Sequence, residues 1–130
     1  MHGNVIPGTI SGQVSAPASK SAMQRAVAMA VRANGESFIR NPSDCADAIS
    51  ALGMARGLGA DITLHSGAVS ISGNRFCGET SLEAGESGLG LRMFTAVAAC
   101  YRGPVTLAAS GSLTTRPAGM MVDGLAMLEV

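Results

Sequence analysis

The stretch SFIRNPSDCADAISALGMARGLGADITLHSGAVSIS, residues 37–72, decides the fold of this chain. Apolar residues recur at helical spacing over 44–58, and the glycines at the end of this segment predict that a helix stops there. Two short segments, 61–64 and 68–72, flank a turn that contains glycine, and they predict a β-hairpin. A short strand over 37–40 precedes the helix. The stretch therefore predicts the order β-α-β-β.

The same kind of pattern continues on both sides of this stretch. Toward the N-terminus, alternating residues predict a strand over 9–15, and an apolar stripe predicts a helix over 22–33. The elements predicted toward the C-terminus are a helix, a strand and a helix, over 89–101, 105–108 and 118–128. We therefore expect an α/β (α+β) fold of repeated β-α-β-α-β-β units, the first over about 9–80. A second unit, begun over about 81–130, is expected to be truncated, and both units belong to one partial domain, 1–130.

The composition excludes several classes of protein. Nine basic and nine acidic residues give a formal charge of zero, which does not suit a nucleic-acid-binding surface or a polybasic membrane signal. No apolar run is long enough to span a bilayer, and the N-terminus lacks the basic start and apolar segment of a secretory signal. Three cysteines, Cys45, Cys77 and Cys100, lack CxxC spacing, which favours a reducing cytoplasm and argues against a metal site. We expect a cytoplasmic protein without nucleic-acid, membrane or metal partners.

Lysine is rare in this chain, and its position is informative. Of the nine basic residues eight are arginines, and Lys20 is the only lysine. It stands at the predicted start of a helix, beside Ser19 or Ser21 as N-cap, where a cation is disfavoured by about 0.3–1 kcal/mol. Arg25 follows Ser21 by four residues, so the two share a helix face. A lysine, a hydroxyl and an arginine near free backbone N–H groups are typical of a phosphate or carboxylate site.

Two further predicted helix starts carry arginine. The glycine-rich run GESGLGLR, 85–92, brings Gly88 and Arg92 to the start of one helix. Arg116 precedes Pro117, which suits the first position of the last helix. Tight packing or a solvated arginine explains either feature alone. Three such starts in one small domain predict a protein that binds small anions.

The residues at these three starts resemble the 5-enolpyruvylshikimate-3-phosphate synthase family. The motifs that carry the resemblance are Ser19-Lys20-Ser21 with Arg25, the run 86–92, and Thr115-Arg116-Pro117 followed by Val122-Asp123 and Leu125. The resemblance covers nearly the whole chain but only the N-terminal third of that family's length. It implies two similar domains built from β-α-β-α-β-β units, with the active site between them.

The resemblance also implies a reaction and its site residues. This family of transferases moves the enolpyruvyl group of phosphoenolpyruvate to the 5-hydroxyl of shikimate 3-phosphate and releases phosphate, in the shikimate pathway of aromatic amino-acid biosynthesis. It uses no metal or organic cofactor. By resemblance Lys20 is catalytic, and a pKa depressed by neighbouring cations would let it transfer a proton. The residues implied to bind shikimate 3-phosphate are Lys20, Ser21 and Arg25, and those implied to bind phosphoenolpyruvate are Lys20, Gly88 and Arg116. Arg92 aligns beside this site, and Asp47 aligns with a carboxylate that lines it.

The chain departs from the family in two ways. Glu86, Leu89 and Gly90 replace polar or small residues of the family's glycine motif, and an acidic residue is unexpected beside an anion site. The family's second domain, with its acidic catalytic residues, is absent. We therefore expect the chain alone to be inactive, or at best a weak binder of shikimate 3-phosphate. The remainder of the enzyme, or self-association, is expected to cover its truncated face.

Two other functions stay open at this point. The sibling family of UDP-N-acetylglucosamine enolpyruvyl transferases has Lys-Asn in place of Lys20-Ser21, lacks the accompanying arginine that is Arg25 here, and carries a cysteine in a mobile loop near the donor. Cys100 is predicted to be a buried apolar residue within a helix, whereas Cys77, in a loop, leaves this alternative open. A non-catalytic anion-binding or assembly module is the other alternative, since an incomplete unit leaves a sheet edge and apolar helix faces uncovered. A reading frame that continues past Val130 would favour the enzyme.

Overall fold

A computed structural model describes residues 3–74 and 78–130 of the chain, so Cys77 lies outside the described residues. The first helix is α1 (Lys20–Arg32). Its N-cap is Ser19, whose Oγ accepts a hydrogen bond of 3.3 Å from the backbone N–H of Ala22. Its buried face includes the expected stripe of Met23, Val27 and Val31. The predicted helix is confirmed, and it begins two residues earlier than expected, which places Lys20 at its first position.

A three-stranded antiparallel sheet follows, as the quoted stretch predicts. Its elements are β1 (Glu36–Arg40), α2 (Ala46–Gly57), β2 (Asp61–His65) and β3 (Ala68–Ser72). The strand order is β1-β3-β2, and both pairs are antiparallel, with Val69 of β3 opposite Ile39 of β1 and Leu64 of β2. Gly67 takes a φ of +72° in the hairpin turn, a conformation that suits glycine. Val69 and Ile71 are fully buried on the central strand, and Ser70 between them is buried as well, so burial does not alternate along β3.

The second part of the chain contains a parallel strand pair. Its elements are β4 (Thr80–Glu83), α3 (Gly88–Ala98), β5 (Val105–Ala108), a 3-10 helix (Gly111–Thr115) and α4 (Gly119–Met127). β4 and β5 pair in parallel, with Leu82 opposite Leu107. The predictions of α3, β5 and α4 are confirmed. β4 was not predicted because Leu82 is its single apolar residue, which gives no period to detect.

The core lies where α1, α2 and α3 meet each other and the strands. Its largest fully buried side chains include Phe94, Met54, Leu58, Ile71 and Leu82. Small residues allow the helices to approach closely at this point. A methyl group built on Gly90 of α3 would lie 2.9 Å from Ser87 Oγ and 3.1 Å from Met54 Cε of α2. Gly90 therefore allows close packing between the start of α3 and Met54 of α2.

Two sequence-based expectations are wrong in this part of the chain. Residues 9–15 form no strand, and Ile10 and Val14 are 97% and 93% exposed. Alternation predicts which face a strand would bury, but a strand also needs a partner, and this segment pairs with none of the described strands. The first unit is therefore α-β-α-β-β as far as the described residues extend. Cys100 is exposed rather than buried, because α3 ends at Ala98, before the cysteine.

The last helix is mostly exposed, although Met121 and Leu125 are half-buried and Met121 Sδ accepts a hydrogen bond of 3.7 Å from Thr95 Oγ1 of α3. None of the nine residues of α4 is buried, and Met120 and Met127 are 85% and 86% exposed. The N-terminal segment adds further exposed apolar side chains, Val5 and Ile6 among them. Within residues 3–74 and 78–130, no helix is long and apolar enough to cross a bilayer.

Candidate functional site

The starts of three helices lie next to one another. The ion pair between Lys20 Nζ and Asp47 Oδ2, 2.8 Å long, joins the first turn of α1 to the first turn of α2. Ser87, the N-cap of α3, donates a hydrogen bond of 3.3 Å to Oε1 of Gln24, one turn into α1. Ser87 Oγ also accepts a hydrogen bond of 3.0 Å from the Gly90 N–H. Because each helix start carries free N–H groups and partial positive charge, this end of the domain favours anions.

Lys20 lies at this end with its amine in solvent. Its side chain is 59% exposed, and that of Asp47 is 24% exposed. The pKa of Lys20 lies above its ordinary value of 10.5, first because of the hydrogen bond to Asp47 and then because of that carboxylate's charge. The expectation of a pKa depressed by neighbouring cations is therefore wrong for this arrangement: the group nearest the amine is an anion. Lys20 is a charged ammonium at neutral pH, suited to holding anions.

Asp47 and Lys20 are 27 residues apart in the sequence, and the fold brings both predicted residues together. The charge of Cys45, the N-cap of α2, makes a smaller contribution to the raised pKa of Lys20. The pKa of the Cys45 thiol is lowered, first by a hydrogen bond with Ser43 and then by backbone N–H groups at the start of α2. Sequence reasoning missed this thiol. Its position immediately before Ala46-Asp47, at a helix start, was the available signal.

Ser21 and Arg25 lie on one face of α1, as predicted. Arg25 Nη1 donates a hydrogen bond of 3.4 Å to the backbone carbonyl of Ser21. Arg25 is exposed, and among the residues that the structure describes it forms no ion pair. The start of α1 therefore presents an ammonium, a hydroxyl and a guanidinium, all available to a ligand.

A second group of predicted residues, the arginine cluster, consists of Gly88, Arg92 and Arg116. Arg92 Nη1 donates a hydrogen bond of 3.3 Å to the Gly88 carbonyl. A methyl group built on Gly88 would lie 3.3 Å from Arg92 Nη1 and 3.6 Å from Arg116 Nη1. Neither guanidinium forms an ion pair within residues 3–74 and 78–130, where the sole ion pair is Lys20–Asp47. Two unpaired cations at a glycine and a helix start form a site suited to a carboxylate or phosphate.

The space beside this cluster is small. A cavity of about 180 Å³ is lined by Arg92 and Arg116, with apolar walls that include Leu113, Pro117 and Met121. Pockets that enclose small organic ligands usually measure about 300–1,000 Å³. The described residues therefore enclose less space at this cluster than a small organic ligand usually occupies.

The third predicted helix start is wrong. α4 begins at Gly119 with Ala118 as N-cap, so Pro117 precedes the helix instead of occupying its first position. Arg116 is the C-cap of the 3-10 helix, with an extended backbone at ψ 141°. The residue before a proline is driven to this conformation by contact with the proline ring. Thr114 and Thr115 do not cap α4, because their hydroxyls donate to the carbonyls of residues 111 and 112, at 2.8 and 3.0 Å.

Glu86, the unexpected acidic residue, does not contact the arginines within ion-pair distance. Its Oε2 accepts hydrogen bonds from the backbone N–H and from Oγ of Ser112, both 3.2 Å long. Sequence reasoning missed both Ser112 and Gln24, since their partners are distant in the sequence. In the part of the chain that is described, no three His, Cys, Asp or Glu side chains are arranged to hold a metal ion.

Comparisons with known proteins match nearly the whole chain. Residues 5–130 match the family model described as EPSP synthase (3-phosphoshikimate 1-carboxyvinyltransferase). Proteins named 3-phosphoshikimate 1-carboxyvinyltransferase from Chlamydia caviae and Methanobrevibacter smithii are each 35% identical to this chain, over 93% of its length and 28% of theirs. The structure of an EPSP synthase from Acinetobacter baumannii superposes with a TM-score of 0.77 at 21% identity, over 92% of this chain and 28% of that one. The chain thus spans just over a quarter of these proteins' length and shares their fold.

Proposed function

This chain belongs to the EPSP synthase (3-phosphoshikimate 1-carboxyvinyltransferase) family, and we propose that it supplies one wall of that enzyme's active site. The complete enzyme would transfer the enolpyruvyl group of phosphoenolpyruvate to the 5-hydroxyl of shikimate 3-phosphate and release phosphate. The observation that carries the proposal is the arginine cluster: two guanidiniums without a carboxylate partner among the described residues meet at Gly88. The names of the matched relatives favour this function over that of the sibling transferase.

The acceptor, shikimate 3-phosphate, would bind at the start of α1. Lys20, Ser21 and Arg25 present an ammonium, a hydroxyl and a guanidinium there, and charge-assisted hydrogen bonds to phosphate are about twice as strong as neutral ones. The ammonium has three N–H donors, so Lys20 can keep its bond to Asp47 and still bind a substrate. Asp47 would then orient the amine instead of competing with the substrate.

The donor, phosphoenolpyruvate, would bind at the arginine cluster, with Lys20 reaching it from α1. Gly88 allows the ligand to approach the backbone, because any side chain there would meet Arg92 and Arg116. Arg116 would pair with the donor's anionic groups, and Arg92, held by its bond to the Gly88 carbonyl, would add a second positive charge.

These residues would act on the reaction mainly through charge. The reaction requires protonation of the donor's C3, attack of the acceptor hydroxyl at C2, and departure of phosphate from the resulting tetrahedral adduct. Cations that are already in place stabilise the negative charge that grows on the leaving phosphate. Lys20 would donate hydrogen bonds to these oxygens in its ammonium form, since its raised pKa keeps it protonated at neutral pH.

The remaining parts of the proposal concern the organisation of the protein. The order α1-β1-α2-β2-β3, which runs from residue 20 to residue 72, supports a first unit within about 9–80, and β4-α3-β5 supports the start of a second over about 81–130. The remainder of the enzyme, or a second copy, would cover the exposed side chains of α4. The 130-residue chain alone would be inactive, because it spans 28% of its relatives' length. We place the protein in the cytoplasm, where its free thiols Cys45 and Cys100 would stay reduced.

A titration of the chain with shikimate 3-phosphate, followed by backbone NMR, tests this function. We expect saturable shifts at residues 20–25, and shifts at Gly88, Arg92 and Arg116 when phosphoenolpyruvate is added. Unphosphorylated shikimate is the ligand control and should produce no saturable shifts. Arg25→Ala should weaken binding of shikimate 3-phosphate, whereas Arg56→Ala, which removes an exposed arginine from the last turn of α2, should not. A folded chain that responds to neither substrate, or equally to shikimate, contradicts the proposal.

A further inference from the structure

The carboxylate of Glu86 connects the two segments that build the arginine cluster. One segment, residues 85–88, leads into α3, and the other, residues 110–116, contains the 3-10 helix. Glu86 Oε2 accepts two hydrogen bonds of 3.2 Å from Ser112, one from its backbone N–H and one from its hydroxyl. Next to them, the N–H of Ser110 donates a bond of 2.8 Å to the Gly85 carbonyl. Three hydrogen bonds thus fasten the start of the 3-10 helix to the glycine-rich loop.

The 3-10 helix carries this attachment to Arg116. Leu113, in its middle, is 5% exposed, and its Cδ1 would lie 3.6 Å from a methyl group on Gly88. Arg116 is the C-cap, and its N–H donates a bond of 3.1 Å to the Leu113 carbonyl. Gly111 takes a φ of +54°, and the Glu86 carboxyl fills the space where its side chain would lie. The element between Glu86 and Arg116 is short, fastened at its start and buried at Leu113 in its middle.

Glu86 does not act as the counter-ion of the arginines. Among residues 3–74 and 78–130, no ion pair involves it, although it lies in the same loop as Gly88. Its charge is directed instead at one N–H and one O–H group, an arrangement that gives short-range, directional hydrogen bonds. An acidic residue is therefore compatible with an anion site here, because its carboxylate binds the scaffold of the site.

We propose that Glu86 is a positioning residue of the donor site: it holds the 3-10 helix so that Arg116 stands beside Gly88 before any substrate binds. This rests on the proposed function, in which Arg116 binds the anionic groups of phosphoenolpyruvate. A guanidinium that is already in place loses less conformational freedom on binding, so the donor is bound more tightly.

Amide hydrogen exchange of the ligand-free chain tests the holding role. Glu86→Ala should speed exchange at the Ser112 amide about tenfold or more, since hydrogen bonds to charged groups are among the stronger ones. It should also weaken the nuclear Overhauser effect between the Leu113 methyl groups and Gly88. Glu86→Gln keeps an acceptor oxygen, so its exchange rate at the Ser112 amide and its nuclear Overhauser effect should lie closer to the wild-type values. Glu83→Ala is the matched control: Glu83 is an exposed glutamate three positions earlier and makes no side-chain hydrogen bond to the described residues. Unchanged exchange and unchanged contacts in Glu86→Ala overturn the proposal.

Ligand titrations of the same variants test the donor role. We expect Glu86→Ala to weaken phosphoenolpyruvate binding about tenfold while shikimate 3-phosphate binds as in the wild type, because the start of α1 does not depend on Glu86. A general loss of structure would weaken both ligands, and a donor affinity equal to that of the wild type would overturn the proposal. If the wild-type chain binds shikimate 3-phosphate but not phosphoenolpyruvate, the proposed binding of phosphoenolpyruvate at the arginine cluster is wrong. The proposed role of Glu86 in that binding is then wrong as well. The exchange experiment then still decides whether Glu86 holds the 3-10 helix.

Discussion

Replacing Gly90 by alanine should destabilise the domain, although alanine is the better helix former. In an open helix interior, glycine to alanine gains about 0.8–1.0 kcal/mol. At Gly90 the new methyl group would lie 2.9 Å from Ser87 Oγ and 3.1 Å from Met54 Cε. The Met54 terminus can rotate away, but Ser87 is held by its bonds to Gln24 and to the Gly90 N–H. Overpacking of this kind costs about 1–3 kcal/mol, so we expect a net loss of about 1 kcal/mol.

A second glycine provides the control for this prediction. Gly53 lies in α2, exposed, and a methyl group there would meet nothing within 4 Å. Gly53→Ala should therefore stabilise the chain by about 0.5–1 kcal/mol through helix propensity alone. Urea denaturation of the three proteins measures the difference, with equal m-values expected because the buried surface hardly changes. If Gly90→Ala proves as stable as Gly53→Ala, the close contact of Gly90 with the fixed Ser87 side chain does not limit the residue at position 90.

Two further predictions follow from the raised and lowered pKa values. The pKa of Lys20 should be found above 10.5 by NMR titration of its side chain, return toward 10.5 in Asp47→Asn and stay raised in Asp44→Asn. Folding raises this pKa, so the contribution of the ion pair to stability is complete below pH 10.5 and is lost as the pH rises through the pKa of the folded state. A Lys20 pKa equal to 10.5 in the folded protein would contradict the observed ion pair. Cys45 should reach half its maximal alkylation rate below pH 9.0, with Ser43→Ala moving the midpoint up, as followed by peptide mass spectrometry. A profile unaffected by Ser43→Ala excludes that hydroxyl as the cause.

Local pattern was sufficient for the elements that bury a regular face. α1 and the β2–β3 hairpin have apolar residues at the proper period and a clear turn, so they were predicted within about two residues. β4 was missed because one buried leucine defines no period. The segment 9–15 was overpredicted because strand pairing depends on a partner, which a single segment cannot reveal.

The candidate site residues could be proposed from the sequence, but their arrangement could not. Lys20 and Arg116 were identified because cations are unusual at predicted helix starts and because both residues belong to the motifs of the family resemblance. The pairing of Lys20 with Asp47 spans 27 residues, so the direction of the lysine's pKa shift depended on tertiary structure. The attachment of Glu86 to Ser112 spans 26 residues and reverses the first interpretation of that acidic residue.

The hydrogen bond between Gln24 and Ser87 has a consequence for how the two halves of the site stay in register. Both side chains are 1% exposed, so neither can exchange its partner for water. Sliding α3 along α1 by one helical turn, about 5.4 Å, would separate them and bury two unpaired polar groups at a cost of about 1–3 kcal/mol each. This polar contact therefore adds to the apolar packing in holding the longitudinal alignment of Gly88 with Lys20, and with it the spacing between the two groups of candidate site residues.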